Sequence, residues 1–210
     1  MIEKMLVDTA ALGALFWLLA IALSTPGPNA LTCFGHSGLY GSRSNVKLIA
    51  GMLIGVFIME LIIGLSIEAL KDNTTAMTAL HWIGMMFLAI MIIGMFRFDP
   101  SSVTVKDIDA VLGLKTGVLM QFFNGKEWAF IIIIMSRFIQ PFGGGITGIL
   151  VIASITLSVC FVAMCAWTLI GARLESTFRD EGKGKNIFRF CGILLSLLLI
   201  GFLIQGPSNL

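Results

Sequence analysis

The chain has 210 residues, 57% of them hydrophobic and only 12% charged, with a mean hydropathy of +0.97 and a formal net charge of +2. Soluble domains carry about 25% charged residues, so this composition excludes a water-soluble domain and fits an integral membrane protein. A net charge of +2 carries little information by itself, and the placement of the charges carries more.

A helix that crosses a bilayer needs about 20 apolar residues. Six segments reach that length, at 9–38, 48–69, 79–97, 114–140, 146–171 and 189–206. The first is interrupted at mid-depth by Thr25-Pro26-Gly27-Pro28-Asn29. Each proline removes a backbone donor and clashes with the preceding turn, and in hydrocarbon the freed carbonyls must find partners in protein or trapped water. A break at that depth therefore predicts a cavity, which is how many transporters build a substrate site. The first segment is too long for a signal-peptide core and lacks a basic leader, so no cleavable signal is expected. The fourth segment is interrupted as well, at Asn124-Gly125-Lys126-Glu127, ahead of the run Ile131 to Ile134. The polar connections run from Tyr40 to Lys47, Lys71 to Thr78, Phe98 to Val111 and Arg173 to Lys185.

Basic residues set the orientation. Arg43 and Lys47 follow the first span, Arg97, Lys106 and Lys115 follow the third, and Arg173, Arg179, Lys183, Lys185 and Arg189 follow the fifth. These ten face two on the opposite side, Lys4 and Lys71. Both termini are thus expected outside the cytoplasm. The predicted fold is all-α and polytopic, a single transmembrane domain over 1–210. It comprises two inverted three-helix repeats, at about 1–100 and 110–210, whose first members (spans 1 and 4) are broken.

A lysine or glutamate near the bilayer centre costs several kcal/mol unless paired or hydrated. Lys126 and Glu127 either snorkel to an interface or face the cavity, where Lys126 attracts an anionic group. At the first break, the second half-helix begins near Pro28 or Asn29 with unsatisfied N–H groups and a positive dipole end, a natural seat for a carboxylate. Thr25 and Asn29 either cap the helix or touch the ligand. Glu60 lies mid-way along the second span and must face the interior, be protonated, or pair, with Lys126 as one partner offered. It is either a structural hydrogen-bonding group or a proton-coupling one. Arg137 is expected to snorkel. Trp82 and Trp167 read mainly as interface anchors, with lining of the cavity as the alternative for Trp167, and His36 and His81 lie near segment ends. Glycine pairs such as Gly51 and Gly55, or Gly113 and Gly117, allow close helix contact, within the monomer or in a dimer. Cys33, Cys160, Cys165 and Cys191 all fall in apolar segments without a CxxC spacing, so neither a disulfide framework nor a zinc site is indicated. No phosphate loop, Ser-His-Asp set or HExxH occurs, no cofactor is called for, and the mixed-charge connection 173–189 is a topology signal rather than a nucleic-acid surface.

At these residues the chain resembles the LysE/RhtB family of amino-acid exporters. Ser24 to Asn29 is similar to that family's N-terminal signature, and Gly38 to Arg43 with Ala50 to Gly55 is similar to its next turn and second helix. Gly117 to Lys126 is similar to its second motif, where Gly125 replaces the usual proline of Asn-Pro-Lys. The stretch Trp167 to Arg179 and Lys185 to Ile187 resembles the branch that exports cysteine and O-acetylserine. The resemblance implies export of amino acids or close derivatives from the cytoplasm across the inner membrane, driven by the proton gradient, often as a dimer. The substrate would meet Thr25, Pro26, Gly27, Pro28, Asn29, Asn124 and Lys126; Glu60, whose role rests on burial and not on the resemblance, or Glu127 would accept its ammonium group or act as coupling residue. Two other classes stay open at this stage. A membrane thiol-disulfide conduit would need cysteines on spans 1 and 4, yet span 4 has none. A metal or inorganic-ion exporter is disfavoured by the scarcity of histidine and acidic residues in the spans.

Overall fold

The computed structural model describes residues 9–25, 27–97, 111–179 and 181–206. Every described element is a helix. The first interrupted segment resolves into α1, Thr9–Ser24, and α2, Pro28–Tyr40, bent by 48°. Pro28 opens α2 at its first turn, where a missing donor costs nothing; Pro26 lies outside the described residues. After Gly41, whose φ of +80° suits a glycine, a short 3-10 turn, Ser42–Ser44, leads into α3, Asn45–Leu70. Helix α4 spans Thr74–Arg97. The second interrupted segment resolves into α5, Leu114–Phe123, and α6, Gly125–Phe138, bent by 70°. Two long helices follow, α7 at Gly145–Arg179 and α8 at Glu181–Gln205.

Three helical stretches, Ser42–Leu70, Thr74–Arg97 and Gly145–Gly171, are long and apolar enough to cross a membrane, and both bent pairs meet that test when each is taken as one span. The expected span at 189–206 corresponds to a shorter apolar stretch, Gly192–Ile204. Two connections differ from expectation. The Lys71-to-Thr78 link contracts to residues 71–73, because Asn73 Oδ1 accepts the Ala76 N–H at 3.0 Å and starts α4 earlier. The polar stretch from Arg173 to Lys185 is helical over its described residues, 173–179 and 181–185, since Ala, Arg, Leu and Glu are strong helix formers. Most of the Phe98-to-Val111 connection, Lys106 included, lies outside the described residues.

Helix α6 is buried along most of its length. Its residues Ala129 to Ser136 are all buried, as befits a helix apolar on every side. Side chains such as Trp17, Ile62, Phe123 and Ile204 point outward as an apolar surface suited to lipid. Helices α3 and α5 touch backbone to backbone: Cβ atoms added at Gly51 or Gly117 would fall on the Leu114 and Leu48 carbonyls, and one at Gly55 would lie 2.8 Å from the Val118 carbonyl. Gly113, by contrast, has open space. A second such crossing joins α2 and α7, where Gly171 faces the Phe34 carbonyl.

Arg137 does not simply reach for an interface. It donates to the Gly206 carbonyl at 2.9 Å and stacks 4.9 Å over the Phe202 ring, tying down the end of α8.

Candidate functional site

In an unbroken first span the amides of residues 26 to 29 would bond to the carbonyls of Ala22, Leu23, Ser24 and Thr25. Pro26 and Pro28 have no N–H to give, and the bend between α1 and α2 opens the other two bonds. Side chains replace three of the four. Thr25 Oγ1 donates to Ala22 O at 2.7 Å, Trp167 Nε1 on α7 donates to Leu23 O at 3.1 Å, and Lys126 Nζ on α6 donates to Thr25 O at 2.7 Å. Lys126 Nζ also donates to Thr25 Oγ1 at 2.8 Å. The lysine can lie flat over the break because residue 27 is glycine: a Cβ there would sit 2.7 Å from Lys126 Cδ. Trp167 is therefore more than an interface anchor.

The second break is satisfied in the same way. Trp128 Nε1 donates to Phe122 O at 2.8 Å, Asn124 N donates to Gln121 O at 3.1 Å, and Asn124 Oδ1 caps α6 by accepting from Lys126 N at 3.2 Å. Each break thus has an indole N–H on a freed carbonyl.

The two breaks are joined by a buried amide pair. Asn29 Nδ2 donates to Gln121 Oε1 at 2.8 Å, and Gln121 Nε2 returns a bond to Asn29 Oδ1 at 3.0 Å. Asn29 Nδ2 also donates to Glu127 Oε1 at 3.0 Å, and Gln121 Nε2 to Gly117 O at 3.1 Å. The α2 N-terminus has no side-chain cap, so the first amides of that helix face the break with their positive dipole end.

Of the nine residues singled out in the sequence, Thr25, Gly27, Asn29, Glu60, Asn124, Lys126 and Glu127 line one cavity of about 40 Å³. Pro28 does not: it is exposed and borders a separate cleft beside Phe123. Glu60 is 1% exposed, and its hydrogen-bond partner is Thr156 of α7, which donates to Oε1 at 2.5 Å. Lys126, offered as that partner, turns instead to Thr25. The apolar wall comes from Leu19, Val56, Phe130, Ile131 and Ile134. At this size the cavity has room for ordered water.

A family model for the LysE type translocators matches residues 20–206. The chain belongs to the LysE type translocator family. Its curated relatives include an uncharacterized membrane protein of Vibrio cholerae, 25% identical over 193 residues that cover 86% of this chain and 94% of that one. A cysteine/O-acetylserine efflux protein of Escherichia coli O1:K1 is 25% identical over 201 residues, 91% of this chain and 95% of that one. The protein of that name in Escherichia coli K12 is 23% identical over 195 residues. No solved structure matches. Members of this family and the efflux-protein relatives are transporters, not enzymes, and this LysE-type chain is a multi-pass helical membrane protein.

Sequence reasoning overlooked Gln121 and Thr156. Both are single polar side chains in apolar helices, 0% and 2% exposed, and the cost of burying such groups in lipid is the signal that could have found them. It also placed His36 at a segment end. In this translocator His36 is fully buried, facing Asn45 Oδ1 through Nδ1 at 2.5 Å and accepting the Leu112 N–H through Nε2 at 2.9 Å. Asn45 in turn donates to Cys33 O at 2.7 Å and Thr168 Oγ1 at 2.8 Å, so α2, α3, α7 and the approach to α5 share one polar knot away from the cavity. Among the described cysteines, Cys33, Cys160 and Cys165 are free thiols.

Proposed function

We propose that this chain exports small neutral amino acids, of the cysteine and O-acetylserine kind, from the cytoplasm across the inner membrane. The observation that carries the reading is the meeting of the two breaks: Lys126, from the second, bonds to the carbonyl that the first sets free, 2.7 Å away. The pairing brings a fixed positive charge, an uncapped helix N-terminus and the Asn124 amide around one cavity. A carboxylate placed there meets amide N–H groups of α2 and the charge of Lys126. Membership of a translocator family and the printed function of the Escherichia coli relatives support an amino-acid cargo.

In this reading the chain has six spans in two inverted halves, with both termini on the non-cytoplasmic side. Movement of the bent pairs opens the cavity to either face in turn, and the proton gradient supplies the energy. The chain works in the bilayer alone or as a homodimer. Neither a thiol-disulfide conduit nor a metal or ion exporter gains support from any observation.

The test is efflux of a panel of labelled amino acids from cells overproducing the chain, with and without an uncoupler, and with a Lys126→Met variant beside it. Export of small neutral amino acids that collapses with the uncoupler and falls at least about tenfold in the variant, the scale of losing one charge-assisted hydrogen bond, is the expected result. Undiminished export by Lys126→Met would refute the pocket assignment.

A further inference from the structure

Native structures leave few buried polar atoms without a partner, and each one asks for an explanation. Two such atoms line the same cavity here, Glu60 Oε2 and Asn124 Nδ2. Their residues are 1% and 3% exposed. One atom can only accept or carry a proton, and the other can only donate. Thr156 holds the other carboxylate oxygen of Glu60 at 2.5 Å, which fixes the rotamer and leaves Oε2 for the cavity. Asn124 is fixed likewise, since its Oδ1 caps α6. Glu127 is placed differently, because Asn29 Nδ2 already donates to it. The unmet acceptor sits on α3, a continuous helix of the first half, and the unmet donor at the N-cap of α6 in the second break; apolar side chains such as Val56 and Phe130 line the same cavity.

We infer that Glu60 Oε2 is the one acceptor in this cavity for which the substrate's ammonium group and a proton compete, while Asn124 Nδ2 takes the substrate's carboxylate. The inference rests on the export reading above and adds the binding polarity, the substrate class and the coupling step. When substrate binds, the carboxyl proton leaves for the cytoplasm and the carboxylate accepts an N–H bond from the ammonium. On the other face a proton takes Oε2 and the ammonium departs. No covalent bond to carbon changes. Since the substrate is a net-neutral zwitterion, one positive charge enters for each molecule exported. The cargo must therefore carry a free α-ammonium group, and a modest uncharged side chain to match the apolar wall.

The other ionisable groups at the cavity are Lys126 and Glu127 of α6 and Cys160 of α7; α1 has no ionisable side chain. Lys126 and Glu127 bring opposite charges, and of the three only Glu127 could stand in for Glu60 as a carboxyl.

The experiment uses the purified full-length chain in liposomes with O-acetyl-L-serine and its isomer N-acetyl-L-serine. The two share every atom, but only the first has an ammonium group. Exchange of labelled O-acetylserine at least about tenfold faster than N-acetylserine is expected, because a buried carboxylate left without its partner costs that much. In weakly buffered detergent solution, O-acetylserine binding should release protons from the native chain. Glu60→Gln should abolish this release, and Glu68→Gln, on the same helix but away from the cavity, should leave it. Equal transport of both isomers would overturn the inference and leave the export reading standing. So would proton release that survives in Glu60→Gln. Transport of neither isomer, nor of any other amino acid, would bring down the export reading and this one with it.

Discussion

The amide pair Asn29–Gln121 bridges the two breaks, and a double-mutant cycle measures what the bridge contributes. Gln121→Met keeps an unbranched side chain, which the site demands because a Cβ at Gly55 would already lie 2.7 Å from Gln121 Cγ. Asn29→Leu is nearly isosteric. Gln121→Met removes the two bonds to Asn29, at 2.8 and 3.0 Å, and the bond to Gly117 O. It also leaves Asn29 Oδ1 without its donor. Interhelical hydrogen bonds in membrane proteins contribute about 0.6 kcal/mol each on average, and a buried group left unsatisfied costs about 1–3 kcal/mol. The single variants should therefore each lose about 2–3 kcal/mol, and the coupling between them should be about 1–2 kcal/mol, because the double variant leaves no orphaned amide. Reversible unfolding of the four chains in mixed micelles gives the cycle. Strict additivity, with coupling under about 0.3 kcal/mol, would refute the claim that this pair holds the breaks together.

Three further outcomes follow from the same geometry. Trp167→Phe keeps the ring but strips the N–H from Leu23 O, so thermal unfolding in detergent should shift down by several degrees, equivalent to about 1–3 kcal/mol; an unchanged transition would mean that the carbonyl finds water instead. Gly117→Ala should cost about 1–3 kcal/mol or more from overpacking and lower the yield of monodisperse protein, whereas Gly113→Ala, with open space around it, should behave as native; equal behaviour of the two would contradict the close α3–α5 crossing. Arg137→Met removes the bond to Gly206 O and the stack on Phe202, and should raise amide hydrogen exchange in the last turn of α8 without altering exchange at the breaks.

Much of the architecture was legible because its causes are local. Two prolines flanking a glycine forbid a continuous helix, and a polar run inside an apolar one marks a second break, so both bends were placed to within a residue or two. Their meeting was an inference from inverted symmetry, and Lys126 on Thr25 brings the two within one hydrogen bond. What stayed hidden depends on pairing across space. Gln121 has no meaning until Asn29 stands opposite it, and Thr156 none until Glu60 does. The indole of Trp167 read mainly as an interface anchor, and that of Trp128 drew no reading, because aromatic composition cannot tell a lipid-facing ring from one that closes a freed carbonyl. Pro28 was grouped with the cavity residues from proximity in sequence, yet a helix start sends adjacent residues in different directions, and it faces elsewhere.

The glycine crossings have a mechanical consequence. Where backbones meet without intervening side chains, two helices cannot slide past one another without clash, so α3 with α5 forms one stiff plank and α2 with α7 forms another. Each plank draws one helix from either half of the sequence. The two halves of the sequence are therefore clamped together by backbone contact, and neither half is a body that stands apart from the other.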